Sequence, residues 1–563
     1  MQTRHIGIIG GGPAALFMFK RIIAAKRKDV TISIFEKNDK LGAGLPYSDL
    51  GANPEHVTNV SGNEIPEIHS SVREWLSTCP ASLLKMYGID LEKYSDYKVL
   101  PRLLFGRYLS DQFKMYLDES AKFGLKTNVH LNTNVENVIP TADKKYSVIT
   151  NHGDYPVDEL VICTGHYWPK KKALPDNFFD SPYPPSKLLI RTNHPVALKG
   201  ASLTAIDAIR TLARHNGKFT DDNGKLSYKV DKESNHFKIV MHSRNGLLPA
   251  VRFHLDDPHL FRQPVLTEEE LAAHRLANDN FISLDFIFEK NYKDLFIEKD
   301  PELYNKIKDL SLEGFVDMIM KSRENIDPFD LLKAEYDEAE KSMKRHESVI
   351  WKELLAVLSF TMNPPAKYFS AEDMIRLQSV LMPLISIVIA FIPQSSCKEL
   401  LALHDAGILE FVTVGFDNSM EPHPKGGAII TYKDEHGNEK ETHFKTFVDC
   451  TGQPHLPYED FPFNGLLESK SLRRALLRFA SHEKAQEYAL QHPDNIVRTE
   501  GEIFLKVPGV AINDHFQAAD EYGAYIENLY VMAVSHLGGY NPDYSGLDFC
   551  EAASEKIAEV LLQ

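Results

Sequence analysis

His5-Ile-Gly-Ile-Ile9, then Gly10-Gly-Gly12-Pro13-Ala14-Ala15, then an amphipathic run over 16–26, then Val30-Thr-Ile-Ser-Ile-Phe35-Glu36: this stretch decides the fold class. The first apolar run predicts a strand, the small residues a tight turn, 16–26 a helix, and the run from Val30 a second strand. The turn has the pattern GxGxxA. Gly10 permits the sharp turn, Gly12 lets backbone approach a diphosphate, and Ala15 lets the helix close on the strand. Unpaired N–H groups and the dipole at the helix start favour bound phosphates. Glu36 stands 21 residues after Ala15, where a carboxylate accepts hydrogen bonds from both hydroxyls of an adenosine ribose. A glycine-rich turn without a ligand is the plainer alternative, but the frame of strand, helix, strand and acid weighs against it.

The rest of the composition narrows the class. At 563 residues the chain has room for several domains of about 150 residues. With 43% apolar residues it can bury a sizeable core, and 25% charged residues keep it soluble. The formal charge is 63 minus 79, or -16, and a field of that sign repels nucleic acid and anionic membranes. Five cysteines, at 79, 163, 397, 450 and 550, form no CxxC pair, which argues against a disulfide scaffold, a thiolate zinc site and a redox dithiol. None of the 23 histidines sits in HExxH or another metal spacing. The longest apolar run, 380–392, is interrupted by Pro383 and Ser386, too short to span a bilayer, and reads as a buried helix. A reduced, cytoplasmic protein without metal, membrane or nucleic-acid partner is expected.

Beyond Glu36-Lys37 comes Leu41-Gly-Ala-Gly44-Leu-Pro-Tyr47, a GxGxxY loop suited to wrapping the far end of a dinucleotide. His56-Val-Thr-Asn59-Val60 and Leu100-Pro-Arg102-Leu-Leu-Phe-Gly106-Arg-Tyr108 follow. Together these motifs resemble the flavoproteins with two dinucleotide-binding domains. Within them they resemble a bacterial FAD/NAD(P)-binding family related to N-hydroxylating and Baeyer–Villiger-type flavin monooxygenases. The resemblance implies FAD at the first turn, held by Gly10, Gly12, Pro13, Ala14, Ala15, Glu36, Lys37, Gly44, Tyr47, Val135, Thr164 and Gly165. It also implies Asn59 and Arg102 along the flavin or its phosphates. Read without it, Arg102 is a basic residue at a helix start and Asn59 a turn residue.

Two later segments share one grammar. A hairpin around Asn151–Asp154 leads to Leu160-Val-Ile-Cys163-Thr164-Gly165-His166, and one around Asp434–Asn438 leads to Phe447-Val-Asp-Cys450-Thr451-Gly452-Gln453. In the resembled flavoproteins such Thr-Gly strand ends mark crossings between domains. Between them, strand Pro195-Val-Ala-Leu198, a degenerate GxSxxA (Gly200, Ser202, Thr204, Ala205), a helix over 206–214 and a strand over 236–241 form a second unit. Arg244, beyond that last strand, suits the 2′-phosphate of NADPH better than NADH. A fold kept without nucleotide binding is the alternative there. Residues 216–235 read as a long exposed loop.

The expected fold class is therefore α/β: two Rossmann-like dinucleotide-binding domains, the second inserted in the first, with an added helical insertion. The boundaries fall at 1–192 plus 453–563 for FAD and 193–452 for NAD(P), with the insertion at about 255–396. The insertion has helix starts at Thr267 and Ser370 and a charge run over 333–347 read as a solvated helix face. It reads equally as a substrate roof or as a packing or oligomerisation module. The chain returns through a strand over 528–534 to a helix over 547–562. By the resemblance, the Gly546 and Leu547 backbone N–H groups of that helix point at the flavin. The function expected from the resemblance is a FAD-dependent, NAD(P)H-using oxidoreductase. Within that class, a monooxygenase that hydroxylates a small polar amine or heterocycle through a C4a-hydroperoxyflavin, with molecular oxygen, is favoured. An NAD(P)H:acceptor reductase and a non-catalytic flavin scaffold stand as alternatives. No acid–base triad is assigned, since the flavin does the hard step; Tyr47, His56, His166 and Tyr540 are candidates to orient substrate, with loop hydrogen bonding the plainer role of the two histidines.

Overall fold

The computed structural model describes residues 3–166, 173–255, 265–499, 501–543 and 546–563. Its frame is two parallel sheets built on one plan. In the first, strand Arg4–Ile9 lies between Val30–Phe35 and Glu159–Ile162, with Lys126–His130 beyond the former and Tyr525–Val531 beyond the latter. Gln517–Ala519 adds an antiparallel edge. In the second, Pro195–Lys199 lies between Lys238–Ser243 and Thr446–Asp449, flanked in turn by Leu409–Thr413 and Phe178–Phe179. The inner strands are apolar on both faces because helices cover them: Ile6, Ile8, Ile32 and Ile34 are fully buried, as are Val196, Leu198 and Ile239. Helix Pro13–Ala24 follows the first central strand and Leu203–Asn216 the second, each burying a small residue, Ala15 and Ala205, against its sheet.

The duplicated hairpins are present as two three-stranded antiparallel sheets. Val135–Pro140, Tyr146–Thr150 and Gly153–Val157 form one; Asn418–Pro422, Ala428–Lys433 and Glu439–Phe444 form the other. Each leads directly into the strand that ends in Cys-Thr-Gly.

Three expectations need correcting. Residues 216–235 are no loop: Gly217–Asp222 and Lys225–Val230 pair as a hairpin closed at Asn223-Gly224, a dipeptide that accepts the positive φ such turns require. Tyr228 pins it by burying its ring and donating to the Ala213 carbonyl. The apolar run 380–392 is buried but not one helix; a π-helical turn over Leu377–Leu381 passes into Met382–Val388, and the chain then leaves the helix. The charge run 333–347 is only partly solvated. It lies on helix Pro328–Arg345, and Glu335 is buried there between Arg323 and Lys352, both also buried.

The insertion starts as expected, with Thr267 and Ser370 each capping a helix through its side chain. Its apolar core, including Leu284, Phe288, Tyr292, Phe296, Phe315, Leu354 and Leu358, is continuous with Ala475, Leu477, Leu505 and Val507. Those last four belong to an antiparallel sheet of Arg474–Arg478, Ile496–Thr499 and Glu502–Val510, which the sequence reading did not anticipate. The insertion, placed in sequence between strands of the second sheet, thus packs on the segment that returns to the first.

Candidate dinucleotide cleft

The two turns are equivalent atom for atom in their backbone links. The Gly10 N–H donates to the Phe35 carbonyl at 2.8 Å and that of Gly200 to His242 at 2.8 Å. Across each sheet, the Cys163 N–H donates to Ile9 and that of Cys450 to Lys199, both at 2.8 Å. Gly10 and Gly200 have φ of 101° and 104°, and a Cβ on either would strike the carbonyl of Cys163 or Cys450, at 2.6 and 2.9 Å. Each site therefore demands glycine twice over. The helix starts match too: Gly12 and Ser202 are extended N-caps, and neither helix start is capped by a side chain. Their first N–H groups are left for a ligand.

A cleft of roughly 1100 Å³ runs along the carboxyl ends of the first sheet, where open α/β sheets bind ligands. Gly10, Gly12, Pro13, Ala14, Glu36, Lys37, Gly44, Tyr47, Asn59, Arg102, Val135, Thr164, Gly165, Gly546 and Leu547 all line it. Ala15 does not; it is fully buried under the helix, as its packing role requires. Glu36 is held by three donors, the Gly11 N–H at 2.8 Å and the Asn38 backbone N–H and side-chain amide at 2.8 and 2.7 Å, so its carboxylate is fixed beside the turn with acceptor capacity left over. Thr164 has a buried hydroxyl oxygen without a protein hydrogen bond among the described residues. Glycine clearance at the turn, uncapped N–H groups, a fixed acid and an orphaned hydroxyl fit an adenine dinucleotide of FAD type.

Ser202 of the second turn opens on the same cleft, while Thr204 lines a smaller cavity of roughly 200 Å³ with Arg102, His166, Tyr183 and Asp449. Register places Ser243 where Glu36 stands in the first sheet, since His242 pairs with Lys199 as Phe35 pairs with Ile9. Arg244 follows, exposed, with its guanidinium 5.5 Å from the Phe416 ring centroid. It lines neither cavity.

Arg102, which lines the cleft as expected of a residue along the flavin or its phosphates, also makes a link between the two units. Its guanidinium donates to the Val57 carbonyl at 2.9 Å and to Asp207, from the helix after the second turn, at 2.5 Å. The Tyr183 hydroxyl donates to the same Asp207 oxygen at 2.5 Å. Burial pushes the Asp207 carboxyl up, but Arg102 and His56 pull it back, and the net result lies below the usual carboxylate range. Arg102 thus joins the two nucleotide-type units. His56 lies beside it, fully enclosed between the Asn53 N–H at 3.2 Å and the Thr211 hydroxyl at 3.0 Å. Both its ring nitrogens are engaged and it lines neither cavity; burial keeps its pKa low. Tyr540 is spent as well, donating to the Leu476 carbonyl at 3.1 Å. Tyr47 and His166 do line the cleft.

Several cleft residues lie outside the motifs. Arg252, after the second unit, bonds the Asn59 carbonyl, Ser61 and Glu64. The insertion contributes Ala356, Ser359, Phe360, Ile385, Ile389 and Phe391 as a wall. Ser359 donates to Asp543, whose buried carboxyl is pushed up to about 6; Asp548, in the first turn of the last helix, is pushed up by burial to about 7. His536 also lines the cleft. Asp548 directly follows the expected Gly546 and Leu547, whereas no local pattern marks the others, which reach the cleft from distant parts of the chain.

Comparison with known proteins gives the class first. Residues 7–167 match the family described as FAD-NAD(P)-binding, so the opening segment is a FAD-NAD(P)-binding domain, as its motifs imply. Residues 267–389 match the YdhS-like middle domain, which coincides with the helical insertion. The uncharacterized protein YdhS of Escherichia coli (strain K12) is 27% identical over 500 residues, spanning 88% of this chain and 90% of that protein. Among solved structures, the ornithine hydroxylase PvdA from Pseudomonas aeruginosa is 9% identical, covers 100% of both chains and has a TM-score of 0.47. L-lysine 6-monooxygenase from Pseudomonas syringae is 13% identical over 99% of this chain and 98% of that one, with a TM-score of 0.45. A likeness of this degree does not transfer a substrate. No helix among the described residues is long and apolar enough to cross a membrane.

Proposed function

We propose that the chain is a FAD-dependent oxidoreductase that takes electrons from NADPH and inserts oxygen into a small organic substrate, an amine or heterocycle. One observation carries this reading: two strand–turn–helix units with equivalent backbone links open on a single cleft. We divide the chain into a FAD-binding part, 1–192 with 453–563, and an NAD(P)-binding part, 193–452, that includes the insertion. In this division the first turn holds the FAD diphosphate through the uncapped N–H groups at the helix start, that of Ala14 among them, since Pro13 has no N–H to give, and Glu36 takes the adenosine ribose. Gly546 and Leu547 offer backbone N–H groups to the flavin. FAD, when bound, supplies the electron acceptor and the oxygen-reactive centre. The protein's own contribution is to orient and to exclude water, with the insertion wall closing one side.

NADPH is favoured over NADH because Ser243 replaces an acid at the position equivalent to Glu36 and Arg244 follows it; a carboxylate there would repel a 2′-phosphate. The five cysteines are all free, which suits the reducing cytoplasm.

The test begins with the absorbance spectrum of purified protein equilibrated with FAD, followed by stopped-flow reduction with NADPH and with NADH. Anaerobic reduction, an ¹⁸O₂ pulse and a panel of amines and heterocycles then separate the outcomes. One labelled atom in an organic product supports oxygen insertion. Hydrogen peroxide as the sole oxygen product with every substrate reduces the activity to NADPH oxidation, and a chain that takes up no flavin ends the reading.

A further inference from the structure

The carboxyl edge of the first sheet has an order. Register aligns Phe35, Ile9, Ile162 and Val531 as neighbours across four parallel strands. The residues that follow them are therefore also in order: Glu36, Gly10, the pair Cys163–Thr164, and the loop from Met532. A dinucleotide whose ribose meets Glu36 and whose diphosphate meets the Gly10 turn lies along this edge, and its far end reaches the strands ending in Thr164 and Met532.

At that far end stands His536. It lines the cleft, is 1% exposed, and its Nδ1 is buried without a hydrogen-bond partner among the described residues. Its place is fixed from several sides. Its own N–H donates to the Ala533 carbonyl at 2.8 Å, the preceding Ser535 carbonyl accepts from Leu456 at 2.9 Å, and the Phe461 ring meets its imidazole edge-on at 5.0 Å. Burial pushes its pKa down to about 4, so the ring is neutral at neutral pH, with one N–H donor and one acceptor nitrogen. Thr164, on the adjacent strand end, carries the second orphaned polar atom of this wall. A buried polar group without a partner is destabilising, and two such groups belong to residues that line this one wall of the cleft.

We infer that His536, assisted by the Thr164 hydroxyl, contacts the cofactor by hydrogen-bonding the polar edge of the flavin ring system. This rests on the FAD reading above. It assigns to a loop histidine, outside every nucleotide motif, the task of orienting the ring end of the cofactor, while Glu36 and the turn hold the other end.

The experiment compares wild type, H536L, H536Q and T164V, each equilibrated with FAD. Affinity is read by quenching of flavin fluorescence, ring environment by the visible spectrum, and electronics by the midpoint potential. H536L is expected to weaken FAD binding about tenfold, with a shifted spectrum and potential. H536Q, whose amide offers both a donor and an acceptor, is expected to recover most of the affinity, and T164V to lose a smaller factor. H536L and H536Q both within twofold of wild type, with an unmoved spectrum, overturn the inference. Should H536L not fold, H536Q and T164V decide it: wild-type spectra and affinity in both overturn it, and a shifted spectrum in either supports it. A wild-type chain that binds no FAD overturns the underlying reading and the inference with it.

Discussion

Asp207 shows how a single carboxylate can carry the relation between two halves of a protein. It accepts from Arg102 of the first unit and from the Tyr183 hydroxyl, and it is almost completely enclosed. Replacing it with Ala leaves a buried guanidinium without its counter-charge, a change that typically costs about 3–5 kcal/mol. D207A is expected to lower the urea midpoint by a corresponding amount without changing the far-UV spectrum of the folded state. Its pH dependence has a defined sign. The folded pKa is below the unfolded one, so the stabilisation is present above the usual carboxylate range and is lost as pH falls through the folded value. Asp548 works the other way. Burial raises its folded pKa to about 7, so the folded state holds its proton more tightly and stability falls as pH rises from the normal carboxylate range towards 7. D548N is expected to flatten that part of the curve, measured as urea midpoint against pH. Unchanged slopes in D548N place the titration elsewhere. Arg244 gives a residue-scale test of cofactor choice: R244A is expected to raise the NADPH concentration needed for half-maximal reduction about tenfold, and to leave NADH nearly unaffected. Equal effects on the two cofactors remove the 2′-phosphate assignment.

Elements were legible where their pattern is local. The first strand–turn–helix, the Cys-Thr-Gly strand ends with their hairpins and the helix caps at Thr267 and Ser370 are readable because each depends on residues within one or two turns of chain. What was not legible depends on contacts across long sequence distances. The ion pair of Arg102 with Asp207, 105 residues away, is invisible in the local motif around Arg102. His536 carries no motif, and its burial arises from Phe461 and from the strand ends beside it. The charge run 333–347 misleads for the same reason. Its spacing is that of an exposed helix, yet Glu335 is closed in by Arg323, from the preceding helix, and by Lys352, from the following one. Burial alone would raise the Glu335 pKa, but the two cations pull it below normal. E335L therefore strands the buried Arg323 guanidinium and leaves Lys352 only its bond to Glu338, whereas exposed pairs on the insertion, such as Lys306 with Glu302, contribute little. E335L is expected to destabilise the chain by about 3 kcal/mol or more, and E302A by less than about 0.5 kcal/mol, both measured by urea unfolding.

At the scale of the whole molecule, the cleft has walls from three sources: the first sheet's edge, the second turn at Ser202, and the insertion through Ala356, Phe360, Ile385 and Ile389. A ligand that fills it therefore touches parts of the chain that share no sheet. The insertion core is also continuous with the small antiparallel sheet on the return segment, so loosening one loosens the other. A ligand bound only by the folded state stabilises it by about 2.7 kcal/mol at one hundred times its Kd. If the insertion is a true wall, FAD protects it as well as the turn that grips the diphosphate. Hydrogen exchange of helix Ile350–Thr361 is then expected to slow on loading with FAD in parallel with that of helix Pro13–Ala24, and both are expected to lose the added protection when FAD is removed. Protection confined to Pro13–Ala24 would mean that the insertion stands beside the cleft as a packing module. In that case the apolar side chains of its wall face a space the cofactor does not reach, and substrate becomes the occupant to test against them.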